Sequence, residues 1–199
     1  MNFPDRFPVL TTERLLLRET ADHDVEAVFA IESDPVAMRY WSKLPMQDLS
    51  EARASVERAK GFFPAREGLR WSITRPPDDR MLGHLSLFNF SEQSGRADIG
   101  YALVREHWGQ GFMHEALNAV VDYAFGSMDL RRLEADIDPR NAASVRALER
   151  LGFAREGILR ERWQVGDEIS DTLFMGLLAR ELRERRSARS GSCTMSPGR

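Results

Sequence analysis

Cysteine is almost absent from this chain of 199 residues, and its one cysteine, Cys193, lies in the polar C-terminal segment. This scarcity excludes an intramolecular disulfide framework, a Cys-x-x-Cys metal site and a thiol nucleophile in the core. Long hydrophobic runs are also missing, since no apolar stretch approaches the roughly 18 residues that span a membrane. The N-terminus, MNFPDRFPVL, lacks the basic and then apolar pattern of a signal peptide. These absences predict a cytoplasmic protein with no membrane contact.

Lysine is scarce as well, because only Lys43 and Lys60 are present and arginine carries nearly all the positive charge. The formal net charge is -3. Residues 180–199 hold six Arg and two Glu, a local charge of +4, which leaves a net -7 on the rest of the chain. An acidic body favours cationic substrates over nucleic acid. Nucleic-acid binding through the arginine-rich terminus is the weaker alternative, and we expect no nucleic-acid partner.

The hydrophobic content of 42% is enough for one globular domain with a sizeable core. We assign residues 1–186 to this domain. Residues 187–199, SARSGSCTMSPGR, are polar and rich in Gly and Ser, so we predict a flexible tail there.

Apolar periodicity, caps and turn residues predict alternating strands and helices along the domain. Short apolar or alternating runs predict strands at residues 13–20, 69–74, 81–90, 96–104, 132–138, 153–163 and 170–178. Capped or periodic segments predict helices after residues 21–24, from Pro35 to Tyr40, and at 48–60, 110–125, 141–151 and 179–186. The succession of strand, glycine turn, helix and strand between residues 96 and 138 predicts a parallel crossover.

The segment REHWGQGFMHEAL, residues 105–117, joins an apolar strand to a periodic helix through a turn with Gly109 and Gly111. Free backbone N–H groups and the helix dipole place roughly half a positive charge at such a helix N-terminus, so this junction can hold a phosphate or pyrophosphate. The alternative is an ordinary connection, in which the two glycines only relieve a tight turn.

Five segments in order along the chain resemble the GNAT acetyltransferase superfamily, and specifically its RimJ/RimL-type branch, which acetylates N-termini of ribosomal proteins. They are TERLLLRE, DIGYAL, WGQGFMHEAL, DPRNAASVRALERLGF and FAREGILRERWQVGDEISDTLFMGLL. The resemblance runs from about residue 9 to 185. It implies an α/β fold with a mixed, centrally splayed sheet of six to seven strands flanked by helices, and an acetyl-CoA-dependent N-acetyltransferase.

The resemblance also implies which residues contact acetyl-CoA, with phosphates on the backbone amides from Gly109 to His114. The splayed strand offers backbone groups near Leu103 to the pantetheine arm and to the thioester carbonyl, as an oxyanion hole does. Trp108 and Met113 depart from the superfamily's loop pattern. The expected cofactor-binding residues are Leu103, Val104, Trp108, Gly109, Gln110, Gly111, Phe112, Met113, His114 and Asn141.

Asn141 and Ser144 lie three residues apart at the start of a predicted helix, and both residue types commonly cap helices. The resemblance implies that Asn141 contacts the pantetheine arm and that a nearby hydroxyl protonates the departing thiolate. Many superfamily members use a tyrosine four residues before the Gly-Phe pair, where this chain has Leu148. The role of acid therefore falls to Ser144 or to water.

Acetyl transfer requires a neutral amine, so a carboxylate or a water that it orders must accept a proton. Asp98, on the strand DIGY, stands where the superfamily often keeps a carboxylate, and Glu161 and Asp171 are rival candidates. Each of the three could equally be a solvated strand carboxylate. With the backbone of Leu103, the expected catalytic residues are thus Ser144 and Asp98.

For the acceptor, the resemblance places the segment from Tyr40 to Leu44 beside the binding groove, so we expect Tyr40, Trp41 and Glu161 to contact substrate. Tryptophans such as Trp41 and Trp163 more often mark a core than a ligand site. We expect no metal, because His107 and His114 suit no standard zinc spacing.

The sequence as a whole predicts direct attack of an amine on bound acetyl-CoA, since no nucleophile for an acyl-enzyme is evident. Protein N-terminal amines, such as those of a ribosomal protein, come first as acceptors. Polyamines, amino acids and antibiotics are alternatives, and so is a noncatalytic acyl-CoA-binding module. We expect a monomer or a homodimer.

Overall fold

A computed structural model describes the backbone of residues 1–191 and the side chains of residues 1–188. Its strands are β1 (Leu10–Thr11), β2 (Leu16–Glu19), β3 (Gly68–Arg75), β4 (Asp78–Ser91), β5 (Arg96–Leu103), β6 (Arg132–Ile137), β7 (Ala154–Val165) and β8 (Glu168–Leu178). Its helices are α1 (Val25–Glu32), α2 (Leu49–Phe62), α3 (Phe112–Gly126), α4 (Ala142–Leu151) and α5 (Ala179–Gly191). The predicted α/β class is confirmed.

All eight strands form one sheet in the order β1-β2-β3-β4-β5-β6-β8-β7. Only β5 and β6 pair in parallel, through the crossover helix α3, and every other neighbouring pair is antiparallel. The parallel ladder covers just Arg96↔Arg132, Ala97↔Leu133 and Asp98↔Glu134. Beyond Asp98 the two strands diverge, so the sheet is splayed at its centre as predicted.

The strand count is eight instead of the predicted six to seven. The difference arises at the N-terminus, where the two-residue strand β1 pairs with β2. So short a strand has no alternating pattern, and therefore no periodicity in the sequence could reveal it.

Side chains of each strand alternate between the two faces of the sheet, and each face has its own core. On one face, α3 and α4 pack on the larger cluster, whose members include Leu85, Ile99, Leu117, Val121 and Leu148. On the other face, α1 and α2 pack on a smaller cluster of Val28, Ile31, Met46, Ala52, Val56 and Met81. The smaller core leaves room for polar residues on this second face.

Two predicted elements differ in the structure. The segment from Pro35 to Tyr40 forms successive turns instead of a helix, because the Asp34 carboxylate accepts from Val36 N–H and the i→i+4 bond from Met38 to Asp34 is not continued. Helix α5 continues to Gly191, through five residues that were assigned to the tail. Residues 192–199 lie outside the described residues, and the tail stays a prediction for them. No helix within residues 1–191 is long and apolar enough to cross a membrane.

Candidate active site

The splay between β5 and β6 opens into a cavity of about 610 Å³. Its walls come from both strands, from the start of α4 and from the segment 35–45. Asp98, Tyr101, Asn141, Ser144, Tyr40 and Trp41 all line it. The fold therefore brings together residues that lie more than 100 positions apart in the sequence.

Backbone groups of Leu103 face the gap between β5 and β6, although Leu103 is not among the residues that line the cavity. Val104 N–H donates to Leu82 O at 2.9 Å, so Gly83 and Leu103 form a pair without mutual hydrogen bonds in the β4–β5 ladder. In such a pair, the N–H and the carbonyl of each residue point away from the other strand. Those of Leu103 therefore point away from β4, into the gap between β5 and β6. The Leu103 carbonyl accepts from the Trp108 indole at 2.9 Å. The backbone N–H of Leu103 is thus a main-chain donor in the gap between β5 and β6.

The glycine turn before α3 has the geometry of an anion site. Gly109 and Gly111 have φ values of 74° and 81°, a left-handed conformation that favours glycine, and Gly111 is the N-cap of α3. The cap has no side-chain hydrogen bond. Among the described residues, no acceptor is recorded for the backbone N–H groups of residues 109–114. Six N–H groups and a helix N-terminus are therefore available to an anion.

One local and one long-range contact hold this turn in place. The Trp108 indole ties it to the end of β5, while the Arg14 guanidinium donates to Gln110 O at 3.1 Å and to the Glu115 carboxylate at 2.6 Å. Arg14 also lies over the Phe112 ring, 4.7 Å from its centroid. We did not identify Arg14 from the sequence, since a contact across about a hundred residues leaves no local pattern.

The remaining predicted loop residues divide between core and surface. Met113 packs partly against the larger core, so its bulk lies away from the backbone cradle. His114 is exposed, next to Asn118 at 3.2 Å, and the His107 ring lies 6.2 Å from that of Phe112. Within the described side chains, no group of His, Cys, Asp and Glu residues is arranged to hold a metal ion.

At the start of α4, both interpretations of the Asn141 and Ser144 pair have a structural counterpart. Asn141 is the N-cap, and its side-chain oxygen accepts from Ser144 N–H at 3.1 Å. The Ser144 hydroxyl is free of this cap and lies 2.6 Å from the Tyr101 hydroxyl. Burial raises the pKa of Tyr101 to about 12, so its phenol stays protonated. The backbone cap and the hydroxyl are therefore separable features.

Tyr101 is, after Arg14, a second residue of the site that the sequence did not indicate. The tyrosine that many superfamily members use is replaced in this chain by Leu148, which is buried. The hydroxyl of Tyr101, on β5, instead reaches Ser144 at the start of α4. The available pattern was the alternation of β5, which places Tyr101 on the face of Ile99 and Leu103, toward α3 and α4.

Asp98 lies on the opposite face of β5, at the point where the splay begins. One carboxylate oxygen accepts from Asn89 Nδ2 at 2.8 Å, and the other is 3.8 Å from Arg96 Nη1. Burial, together with the nearby carboxylates of Glu134 and Asp136, raises the pKa of Asp98 despite these donors. These three acids give the apex of the splay a negative wall, in which Glu134 is paired with Arg96 and Arg132 while Asp98 and Asp136 carry most of the remaining negative charge.

The acceptor residues predicted from the sequence are only partly brought together. Tyr40 and Trp41 line the cavity, whereas Glu161 does not. Glu161 sits at a bulge in β7 with φ 53°, and its N–H donates to the Asp171 carboxylate. Trp163 is not a core residue, because it is 39% exposed, lines the cavity and directs its indole N–H at Asp136.

Comparisons with known proteins agree with this geometry. The model of the acetyltransferase (GNAT) domain family matches residues 14–154. The uncharacterised N-acetyltransferase YoaA of Bacillus subtilis is 35% identical over 88% of this chain and 99% of its own length. The crystal structure of a GNAT-family acetyltransferase from Bacillus anthracis superposes with a TM-score of 0.77 at 25% identity, covering 87% of this chain and 99% of that one.

Two more distant relatives differ from each other in the acceptor that their names give. The [ribosomal protein uS5]-alanine N-acetyltransferase of Escherichia coli is 26% identical over 84% of this chain and 89% of its own length. The spermidine N(1)-acetyltransferase of Vibrio cholerae is 22% identical over 83% and 93%. The family match and the relative at 35% identity show that this chain belongs to the GNAT family of acetyltransferases and is an N-acetyltransferase.

Proposed function

We propose that this enzyme transfers an acetyl group from acetyl-CoA to the N-terminal amine of a protein or peptide, as in the RimJ/RimL-type branch. The observation that carries the proposal is that Ser144 and Asp98 line one cavity, while the Leu103 N–H points into the gap between β5 and β6. These groups supply what the reaction needs: a main-chain donor, a hydroxyl and a carboxylate.

The residues present fit acetyl-CoA. The free N–H groups of residues 109–114 and the N-terminus of α3 suit its pyrophosphate. Val104, in contrast, has both of its backbone groups paired, with Leu82 O and His107 N–H, so the expected backbone contact to the pantetheine arm does not come from this residue. Asn141 lines the same cavity and can contact the arm while it caps α4. When bound there, acetyl-CoA supplies a thioester whose carbonyl carbon accepts the amine.

Leu103 N–H stabilises the negative charge that develops on the carbonyl oxygen. A positioned main-chain donor of this kind contributes about 3 to 4 kcal/mol to lowering a barrier. The donor is held by the β4–β5 ladder and needs no side-chain rearrangement. An apolar side chain at position 103 is therefore compatible with a catalytic role for this residue.

Asp98 accepts the proton of the incoming ammonium, directly or through a water. Its raised pKa brings the carboxyl closer to the range in which a general base works well. The negative wall of Asp98, Glu134 and Asp136 attracts the cationic form of the amine before it is deprotonated.

Ser144 provides the proton for the departing thiolate, and Tyr101 holds the serine hydroxyl through the 2.6 Å contact. Through this contact the phenol, which stays protonated, can donate a hydrogen bond to the serine oxygen as the serine gives up its proton, and a proton from solvent in the cavity restores the serine hydroxyl afterwards. This pair takes the place of the tyrosine that is missing at Leu148.

A small-molecule amine is the second candidate acceptor. The negative wall at the apex of the splay favours any cationic amine, and polyamines are cationic amines. The two distant relatives named for different acceptors give no preference.

The test is an acetyl-transfer assay that follows thiol release, with product masses determined, against peptides of varied N-termini, spermidine, free amino acids and an aminoglycoside. Acetylation of peptide α-amines, at a kcat/KM at least tenfold above that of the other classes, is the expected result. Selective turnover of spermidine or of an aminoglycoside would replace this proposal by the second one.

A further inference from the structure

A second cavity, of about 670 Å³, lies on the α1–α2 face of the sheet and adjoins the active-site cavity. The two cavities share Trp41, Lys43, Phe88, Asn89 and Gly100 in their walls. Asn89 is the residue that donates to Asp98, so the second cavity begins beside the proposed base. An acceptor whose amine lies at Asp98 can extend into it.

Buried charge surrounds the floor of this second cavity. Glu32, at the end of α1, is 1% exposed, and Arg70 Nη2 donates to it at 3.0 Å. The Lys43 ammonium contacts its other carboxylate oxygen. Although burial opposes ionisation, the neighbouring His84 together with Lys43 and Arg70 holds the pKa of Glu32 below its usual range. The cations Arg70 and Lys43 therefore face the single anion Glu32. The opposite charges of Arg66 and Glu67, at the rim of the cavity, balance each other.

Three buried nitrogen atoms in this wall have no partner among the residues that the structure describes. They are Arg70 Nε, His84 Nδ1 and His84 Nε2. His84 Nε2 is 3.5 Å from Glu32 Oε1, which is too long for a good hydrogen bond. Burial lowers the pKa of His84 to about 4, so near neutral pH its ring offers one N–H donor. A buried donor without a partner destabilises the folded protein, and an incoming oxygen atom would relieve that cost.

We propose that this second cavity is an acceptor subsite, in which Arg70 and His84 bind a carbonyl or carboxylate oxygen of a peptide whose α-amine lies at Asp98. The chemistry selects against a polyamine, because its second ammonium would meet the guanidinium of Arg70 and the ammonium of Lys43. The inference rests on the proposed function and narrows it to peptidyl acceptors.

The register of the strands sets the length of this acceptor. Arg70 is opposite Ser86, and Ser86 is opposite Gly100, so Arg70 lies two strands away from β5 on the face that carries Asp98. Two interstrand spacings are about 10 Å. An extended peptide spans about 3.3 to 3.6 Å per residue, so about three residues reach from the amine site to the subsite.

The first experiment compares trialanine, trialanine amide and spermidine as acceptors for the wild-type enzyme at saturating acetyl-CoA. We expect kcat/KM for both peptides to exceed that for spermidine by about tenfold or more, since one charged hydrogen bond contributes roughly 1.5 kcal/mol or more. Equal values for the two peptides identify a backbone carbonyl as the ligand, and a preference for the free acid identifies a carboxylate. A preference for spermidine overturns the inference.

The second experiment uses His84→Phe, which keeps the ring and removes both nitrogen atoms. KM for trialanine should rise about five- to tenfold, whereas KM for acetyl-CoA and KM for spermidine stay unchanged. The melting temperature should stay level or rise, since two unpaired buried nitrogens are lost. An unchanged KM for trialanine refutes the subsite.

The matched control is His23→Phe, since His23 lies outside both cavities, beside Arg18 and Asp79. It should leave all three KM values unchanged. If the wild-type enzyme acetylated no amine at all, the proposed function itself would fail. A uniform rate for peptides and spermidine would instead remove only the subsite and leave the acetyltransfer intact.

Discussion

At the scale of the residue, the environment of Asp98 determines when it can act as a base. Burial and neighbouring acids raise its pKa, and the hydrogen bond from Asn89 opposes that shift. Asn89 has a φ of 52°, so glycine is the replacement that keeps its left-handed backbone without strain. The Asn89–Asp98 contact can therefore be removed with little change in local structure.

We predict that Asn89→Gly shifts the acid limb of the pH profile of kcat/KM upward. Loss of a donor to the carboxylate favours the protonated form, so Asp98 becomes a base only at higher pH. The shift should be about half to one pH unit, because one unit corresponds to about 1.4 kcal/mol. Asp98→Asn should remove the limb together with most activity. An acid limb that stays in place in Asn89→Gly would assign it to another group.

The Ser144 hydroxyl is separable from the cap of α4, because the cap uses the backbone N–H of residue 144. We predict that Ser144→Ala lowers kcat about a hundredfold, the usual contribution of a general acid, with KM for acetyl-CoA nearly unchanged. Tyr101→Phe should lower kcat less.

Asn141→Ala is the contrasting variant, which should cost about 1 kcal/mol of stability through loss of the cap. Steady-state kinetics and thermal melts of the three variants decide the case. If Ser144→Ala lost stability and kept its kcat, Ser144 would have a structural role only.

At the scale of the element, the start of α3 depends on the backbone conformation of Gly111. A Cβ at this position would lie 3.4 Å from the Arg14 guanidinium, and a φ of 81° is strained for any other residue. The whole turn is thereby adapted to expose N–H groups instead of side chains.

We predict that Gly111→Ala raises KM for acetyl-CoA several-fold and lowers the free energy of unfolding by about 1 to 2 kcal/mol, the cost of a left-handed residue with a Cβ. Gly126→Ala, at the other end of the same helix and with open space around it, should leave KM unchanged and should not lower the free energy of unfolding, because alanine favours a helix over glycine. Acetyl-CoA titrations and thermal melts measure both effects. An unchanged KM in Gly111→Ala would place the pyrophosphate elsewhere.

At the scale of the whole molecule, the buried Glu32–His84 cluster links stability to pH. Glu32 has a lowered pKa, so its contribution is present above the unfolded value and is lost as the pH falls. The pKa of His84 falls from 6.5 to about 4, so between these values the unfolded chain binds a proton that the folded chain does not. Both effects have the same sign.

We therefore predict that the melting temperature decreases as the pH is lowered from about 6.5 to 4. His84→Phe should flatten the upper part of this decline, because the proton-binding difference at position 84 is removed. It should also reduce the loss at lower pH, because His84 is a main cause of the lowered pKa of Glu32, and only Lys43 and Arg70 remain to sustain it. Melting curves across this range test the prediction. A wild-type melting temperature that is constant between these values would contradict the shift at His84.

The sequence by itself determined the order of the elements, the crossover and the glycine turn, because these depend on local periodicity, caps and turn residues. It also placed Asn141 at a helix start. These features follow from neighbours a few positions away. The family resemblance then supplied the splayed sheet.

Only the tertiary structure decided which side chains meet. Glu161 does not line the cavity, because residues 160–162 of β7 bulge opposite the single residue Asp171. This bulge breaks the alternation that a sequence pattern assumes. Tyr101 reaches Ser144, and Arg14 reaches the glycine turn, through contacts that no local pattern records. The unpaired nitrogens of Arg70 and His84 depend on packing between two helices and the sheet. The sequence thus determines local backbone geometry, whereas long-range packing selects the partners of each polar side chain.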